Sequence, residues 1–468
     1  MSTPAGSGRS GAGAAAPAPL DRHHPPVGSE AKVFRFPEVT HQVLSGGLAF
    51  LAIRRTDTPL VVLRFVNKAG GQFDPPTRSG LASFVGSLLD EGTRQRSSVT
   101  IADQIEGLGG YLASGADWDS CGVSTGALSE HLGFCLDLVA EVATEPSFDP
   151  AETARMRSLR LAELQRLLAD PATLAGRAFA RALYRDHVYA RSLVGTPETI
   201  AELTQADCVA FWDRHRTQHG SFLLAAGDLD PAALLERLGP TFAGLDRSER
   251  SPPLPALDHQ SPLAPEVHVV DLPQAAQAEL RVGHLGVPRN HPDRPTLLLL
   301  NSILGGKFTS RINLNLRERH GYTYGASSRF IDRAGPGPFM VSAAVDTGVV
   351  GRALEEVVRE LRRMQDEPPA DAELEDSRSF LLGVFPYTLQ TLDGLVARLE
   401  ELAVYDLADD YFATFPERLR EVTALAIHEA AQRHLAPDRL VIAVAGPAEK
   451  LLSQLEPFGP VTVHAPSL

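Results

Sequence analysis

The sequence predicts an α+β protein of two homologous domains, each a mixed or antiparallel sheet covered by helices. Three observations carry this. Short runs rich in β-branched and aromatic residues alternate with longer stretches of helical periodicity. The order of these elements recurs: Phe222-Leu-Leu-Ala-Ala-Gly227 matches Val441-Ile-Ala-Val-Ala-Gly446 (446 − 227 = 219), and the strand around Val62 matches that around Val282 (282 − 62 = 220). Between the two copies lies SPPLPALDHQSPLAP, residues 251–265, whose five prolines mark a linker.

Taken in order, residues 1–32 are rich in Gly, Ala, Ser and Pro and have no apolar signal core, so a disordered leader is expected, with His23 and His24 as linker rather than metal ligands. The first domain is expected over 33–250 and the second over 266–468. Strands are predicted at 48–53 and 60–66, followed by a turn through Ala69-Gly-Gly-Gln-Phe-Asp-Pro-Pro76 and a helix with Ser79 as its N-cap. A strand near Val123 and helices over 132–143, 152–169, 173–183 and 205–216 follow, then a strand over 222–226. After the linker, strands are expected at 279–285 and 440–445, with a helix over 294–304 between them.

Composition excludes some functions. The 468 residues, 43% hydrophobic, suffice for several cores. A formal net charge of −14, from 44 basic and 58 acidic residues, argues against a nucleic-acid partner. No apolar run reaches the roughly 18 residues of a membrane helix, so no membrane partner is expected. Cys121, Cys135 and Cys208 form no CxxC and are expected as buried, reduced thiols. The compartment implied is cytoplasmic, or periplasmic if a native signal peptide has been removed.

In Ser79-Gly-Leu-Ala-Ser-Phe-Val-Gly-Ser-Leu-Leu-Asp-Glu-Gly-Thr93, Leu81, Phe84, Val85, Leu88 and Leu89 form one apolar helical face, and Ser83, Gly86, Ser87 and Asp90 lie opposite. Alone this is a core-facing helix. Its frame G-L-A-x-F-x-x-x-x-L-x-x-G-T, preceded by Gly70-Gly-x-x-Asp74, resembles the signature helix of the insulinase and mitochondrial-processing-peptidase family of the pitrilysin superfamily. Active members carry His-x-x-Glu-His there, two zinc ligands and a general base. Here those positions are Ser83, Gly86 and Ser87, a degenerate zinc motif. The family's third ligand, a glutamate on a later helix, falls on Glu163, which alone holds no zinc and reads as a solvated helix residue. Two other candidate metal spacings are expected as surface histidines: His428-Glu-Ala-Ala-Gln432 lacks the second histidine, and the pair His215/His219 lacks an intervening acid.

The segment from Gly305-Gly-Lys-Phe through Arg317-Glu-Arg-His-Gly-Tyr-Thr-Tyr324-Gly reads as a glycine turn, a helix and a corner into a strand. It is similar to the family's C-terminal stretch, where an arginine and a tyrosine seven residues on bind the substrate carbonyl and stabilise the oxyanion. Those positions are Arg317 and Tyr324 (324 − 317 = 7); Arg319 and Tyr322 do not match. Phe148-Asp-Pro, Leu193-Val-Gly-Thr-Pro and Val269-Val-Asp-Leu-Pro fit in the same order, and the match spans about 33–446.

The resemblance implies half of a clam-shell peptidase: the non-catalytic subunit of a heterodimeric zinc metallopeptidase, inactive alone. Arg317 and Tyr324 would act in trans on peptide substrates. No cofactor is expected in this chain, and zinc is expected in a homologous partner. An inactive peptide-binding or structural scaffold is the alternative. No phosphate loop, nucleotide fingerprint or nucleophile motif points to another enzyme.

Overall fold

A computed structural model describes residues 35–245 and 264–468. The expected leader, with His23 and His24, and nearly all of the expected linker fall outside the described residues.

Two six-stranded sheets form, both helix-covered, as the predicted fold class requires. The first contains β1 (Thr40–Val43), β2 (Ala49–Arg54), β3 (Leu60–Asn67), β4 (Tyr111–Ala116), β5 (Cys121–Leu128) and β6 (Ser221–Gly227), in the order β1-β2-β6-β3-β5-β4. The second contains β7 (Glu266–Asp271), β8 (Gln277–Leu285), β9 (Ala326–Phe330), β10 (Pro338–Asp346), β11 (Val441–Gly446) and β12 (Val461–His464), in the order β12-β7-β11-β8-β10-β9. Five strands of each sheet follow one plan: β2 and β6 pair in parallel, as do β7 and β11, and the remaining pairs of the five are antiparallel. The sixth strand breaks the symmetry, since β1 pairs antiparallel with β2 whereas β12 pairs parallel with β7.

Register corrects one detail of the repeat. Leu223 of β6 lies opposite Phe65. Its counterpart at a separation of 219 is Ile442, which lies opposite Val282. The residue equivalent to Val282 is therefore Phe65 (282 − 65 = 217), and the match to Val62 is three positions out.

The inner strands are buried on both faces, as continuous apolar runs such as Leu48–Ile53 demand, while the outer strands β1, β4 and β12 are largely exposed. Leu48, Phe50 and Ala52 point into a core built mainly from the first domain's helices, together with Val61, Leu63 and Phe65. Ala49, Leu51, Ile53 and Val62 point into a core shared with the second domain. A reciprocal exchange closes that face. The helix Pro171–Tyr184, from the first half, lies on β7, β8 and β11, and the helix Leu392–Val404, from the second half, lies on β3 and β6. Polar bonds tie the halves around them, including Tyr111 Oη to Asp393 at 2.6 Å and an Arg64–Glu400 ion pair.

Some local expectations are corrected. Ser79 does not cap its helix; its hydroxyl donates to the Ser192 carbonyl at 2.7 Å. The cap position is Gly80, at φ 90° and pressed against the Gly195 backbone, and Asp74 accepts from the amides of Gly80 (2.7 Å) and Ala82 (2.8 Å). The helix runs only Leu81–Gly86, though Leu88 and Leu89 stay buried in the turns that follow. The helix expected over 294–304 stops at Asn301 and widens into a π-type turn, Ser302–Gly306. His215 is no surface residue. It ends the helix Gln205–His215, buried against Phe73 and Phe211, and burial lowers its pKa to about 4; His219 lies beyond the helix, so no i, i+4 pair exists. All three cysteines are buried and free.

Candidate functional site

The degenerate zinc motif is brought together in space, but around a protein cation. Ser83 sits on the buried helix Leu81–Gly86, and Glu163 on the helix Pro150–Leu167. Between them lies Arg160, one turn before Glu163. Its Nη1 donates to Ser83 Oγ at 3.1 Å and to the Val194 carbonyl at 3.4 Å, and its Nε pairs with Glu163 at 3.2 Å. The Arg160 side chain is only 11% exposed, and burial lowers its pKa against the opposing pull of Glu163. The hydroxyl of Ser87 turns back to the Phe84 carbonyl at 2.8 Å. At Gly86 a Cβ would meet backbone atoms of β4, Gly115 C at 2.6 Å and Ala116 N at 2.7 Å. Zinc does not fit this donor set. Two hydroxyls and one paired carboxylate replace a His-His-Glu set, and a guanidinium already bridges two of them. Sequence reasoning missed Arg160; the only signal was its i, i+3 spacing from Glu163.

The Arg/Tyr segment is built differently. The short helix Arg311–Asn313 continues into a π-type turn, Leu314–Arg319, which ends where Gly321 takes φ 64°. Asn315 and Leu316 face inward. Asn315 Nδ2 donates to Glu356 at 3.0 Å and Glu360 at 2.8 Å on the helix Val350–Asp366, which orients the next surface residue outward. That residue is Arg317, whose guanidinium stacks over Phe308 at 4.5 Å and pairs loosely with Glu318 at 3.5 Å. Tyr324 is 91% exposed, two residues before the edge strand β9, and its hydroxyl engages no group among the described residues. Buried Asn313 links both ends of this surface: its Nδ2 donates to the Phe308 carbonyl at 2.7 Å, and its Oδ1 accepts from the Ala326 amide at 3.0 Å. A bidentate Arg311–Glu373 pair, with both bonds at 2.8 Å, fixes the segment to the helix Asp371–Tyr387. Asn313 and Asn315 were also missed, because their partners are set by tertiary packing. The arrangement presents a cation and a phenol to solvent on a rigid base.

His428 and Gln432 are bonded to each other at 3.1 Å. One further grouping of ligating side chains occurs among the described residues, His291, Asp293 and His434.

A family model described as insulinase (peptidase family M16) matches residues 50–197, and one described as peptidase M16 inactive domain matches 202–381. An uncharacterised zinc protease of Rickettsia bellii is 23% identical over 72% of this chain and 80% of its own length. One of Mycobacterium tuberculosis is 25% identical over 81% of this chain and 86% of its own. Among solved structures, a peptidase M16 inactive domain from Pseudomonas fluorescens superposes with a TM-score of 0.83 at 27% identity, covering 87% of this chain and 98% of that one. A chain of complex III2 from Candida albicans shares the fold at a TM-score of 0.73 and 14% identity, covering 91% and 100%.

Proposed function

The chain belongs to the insulinase family of peptidases, peptidase family M16, and from that membership we infer that it serves as the non-catalytic subunit of a two-chain zinc metallopeptidase. The observation that carries this is the contrast between its two candidate sites. The zinc helix is closed by Arg160 and β4, whereas Arg317 and Tyr324 are held outward on a buried base, Arg317 paired only loosely with Glu318 and Tyr324 exposed. A homologous partner would bring zinc. This chain would bring two hydrogen-bond donors to the carbonyl oxygen of a bound peptide, and these strengthen as charge develops on that oxygen. Phe308 supports one face of the Arg317 guanidinium, so its in-plane N–H groups stay available to the substrate. The peptide would add to the outer edge of β9, beside Tyr324, by main-chain hydrogen bonds.

The test is to co-express the chain with a candidate partner of the same family that bears His-x-x-Glu-His, purify the complex, and follow cleavage of dye-labelled casein. Arg317→Ala and Tyr324→Phe should each lower turnover roughly 100- to 1,000-fold with assembly intact. Unchanged turnover would favour the second reading, a structural scaffold, to which the shared fold with a complex III2 chain lends support.

A further inference from the structure

We propose that His291, Asp293 and His434 form a divalent-cation site in the second domain, separate from the degenerate zinc helix and independent of the subunit role above. Each of the three residues offers one ligating atom, and these atoms all lie within 4.8 Å of one another. Nε2 of His434 lies 2.7 Å from Oδ2 of Asp293. Nδ1 of His291 accepts from the Asp293 amide at 3.2 Å, so that nitrogen is unprotonated, and an ion bound there would displace this bond. The two imidazole rings meet edge-on, with centroids 5.2 Å apart.

The donors stand on firm supports. His291 and Asp293 belong to a turn closed by two backbone bonds, His291 N to Pro288 O and Arg294 N to His291 O, each 3.1 Å. The turn leads into the helix Arg294–Asn301, and buried Arg294 is locked to Asp332 at 2.6 Å. His434 is the last residue of the helix Ala424–His434, which packs against Arg294–Asn301. All three ligands are half-buried, so an ion has a route in from solvent. Two imidazoles and one carboxylate suit zinc, cobalt or nickel better than calcium or magnesium, and three protein ligands leave a coordination position for water.

The charges around the cluster set its character. Arg433 reaches Asp293 Oδ2 at 3.3 Å, but its side chain is 56% exposed and can swing to solvent when an ion takes that oxygen. Buried His284 also faces His434; burial lowers its pKa to about 4, so it stays neutral at pH 7, and Arg439 adds one positive charge nearby. An ion bound between His434 Nε2 and Asp293 Oδ2 would take the place of the 2.7 Å contact these two atoms now make. A bound ion would clamp the end of one helix to the start of the other.

The experiment uses the full chain, stripped with chelator, titrated with zinc chloride by calorimetry and with cobalt chloride by visible absorption. The expected result is one ion per chain, with the d–d band of an imidazole–carboxylate site. His291→Asn, in the turn, should weaken binding at least tenfold and abolish the band while leaving the circular dichroism spectrum unchanged. His434→Asn should do the same, and Ser83→Ala should change nothing. Absence of binding, or binding that survives His291→Asn undiminished, would overturn the proposal.

Discussion

Replacing Gly86 by alanine should destabilise the protein, although alanine is the better helix former. A Cβ there would lie 2.6 and 2.7 Å from backbone atoms of Gly115 and Ala116, about 1 Å inside ordinary carbon contact. No side-chain rotation relieves this, because the atoms belong to β4 itself. The strand is also fastened at this point: the Ser114 hydroxyl lies 2.6 Å from the Gly86 carbonyl oxygen and 2.7 Å from Asp90 Oδ1. Two effects compete. Glycine to alanine within a helix gains up to about 1 kcal/mol. Forcing a methyl group into a filled space costs about 1–3 kcal/mol, and overlap with fixed backbone belongs at the upper end. The net expectation is a loss of about 1–2 kcal/mol, read as a lower urea midpoint at unchanged slope. Gly176 and Gly383 serve as controls. Both lie inside helices with nothing within 4 Å of the point where a methyl group would sit, and alanine there should gain about 0.5–1 kcal/mol. A Gly86→Ala protein as stable as wild type, beside controls that behave as expected, would refute the steric argument.

Three further outcomes follow from the same geometry. Ser83→His, Gly86→Glu and Ser87→His together should leave this helix without zinc, because glutamate at 86 meets the same backbone and Arg160 holds the cation position; elemental analysis in a His291→Asn background checks it. Asn313→Ala removes both bonds that join Phe308 to the start of β9 and leaves the Ala326 amide unpaired; it should cost about 1–3 kcal/mol and lower turnover of a two-chain complex, measured by urea melts and casein cleavage. Asp119, which accepts from Tyr189 Oη at 2.9 Å and the Ala334 amide at 3.0 Å, has its pKa raised from 3.8 to about 6, chiefly by burial and then by Asp117. A raised carboxyl pKa stabilises the folded state at low pH, and that contribution is lost as pH rises through 6. The stability advantage of wild type over Asp119→Asn should therefore shrink by up to about 3 kcal/mol between pH 4 and pH 7, as urea melts at each pH would show.

What was legible in the sequence was local. The strands announced themselves as apolar runs, and the shared Gly227 and Gly446 exposed the duplication because each ends the same strand of the same sheet plan. The frame of the zinc helix was legible for a similar reason: Leu81, Phe84 and Val85 must be buried whatever the opposite face carries. What escaped was set by distant parts of the chain. The cap of that helix comes from Asp74, six residues upstream of Gly80, while Ser79 looked like the better candidate and is spent on Ser192. Arg160 lies 77 residues from Ser83, and His291 lies 143 from His434 (434 − 291). His215 looked exposed among polar neighbours until Phe73 and Phe211 closed over it. The zinc helix shows where the two kinds of information part. Its apolar face still drives folding, so the motif's outline persists. The opposite face carries no ligands, and the surrounding chain has closed on it, with β4 pressed to Gly86 and a guanidinium set between Ser83 and Glu163. The packing tells against a metal there as much as the residue types do, and for that reason we expect restoring the three residue types alone to leave the site without metal.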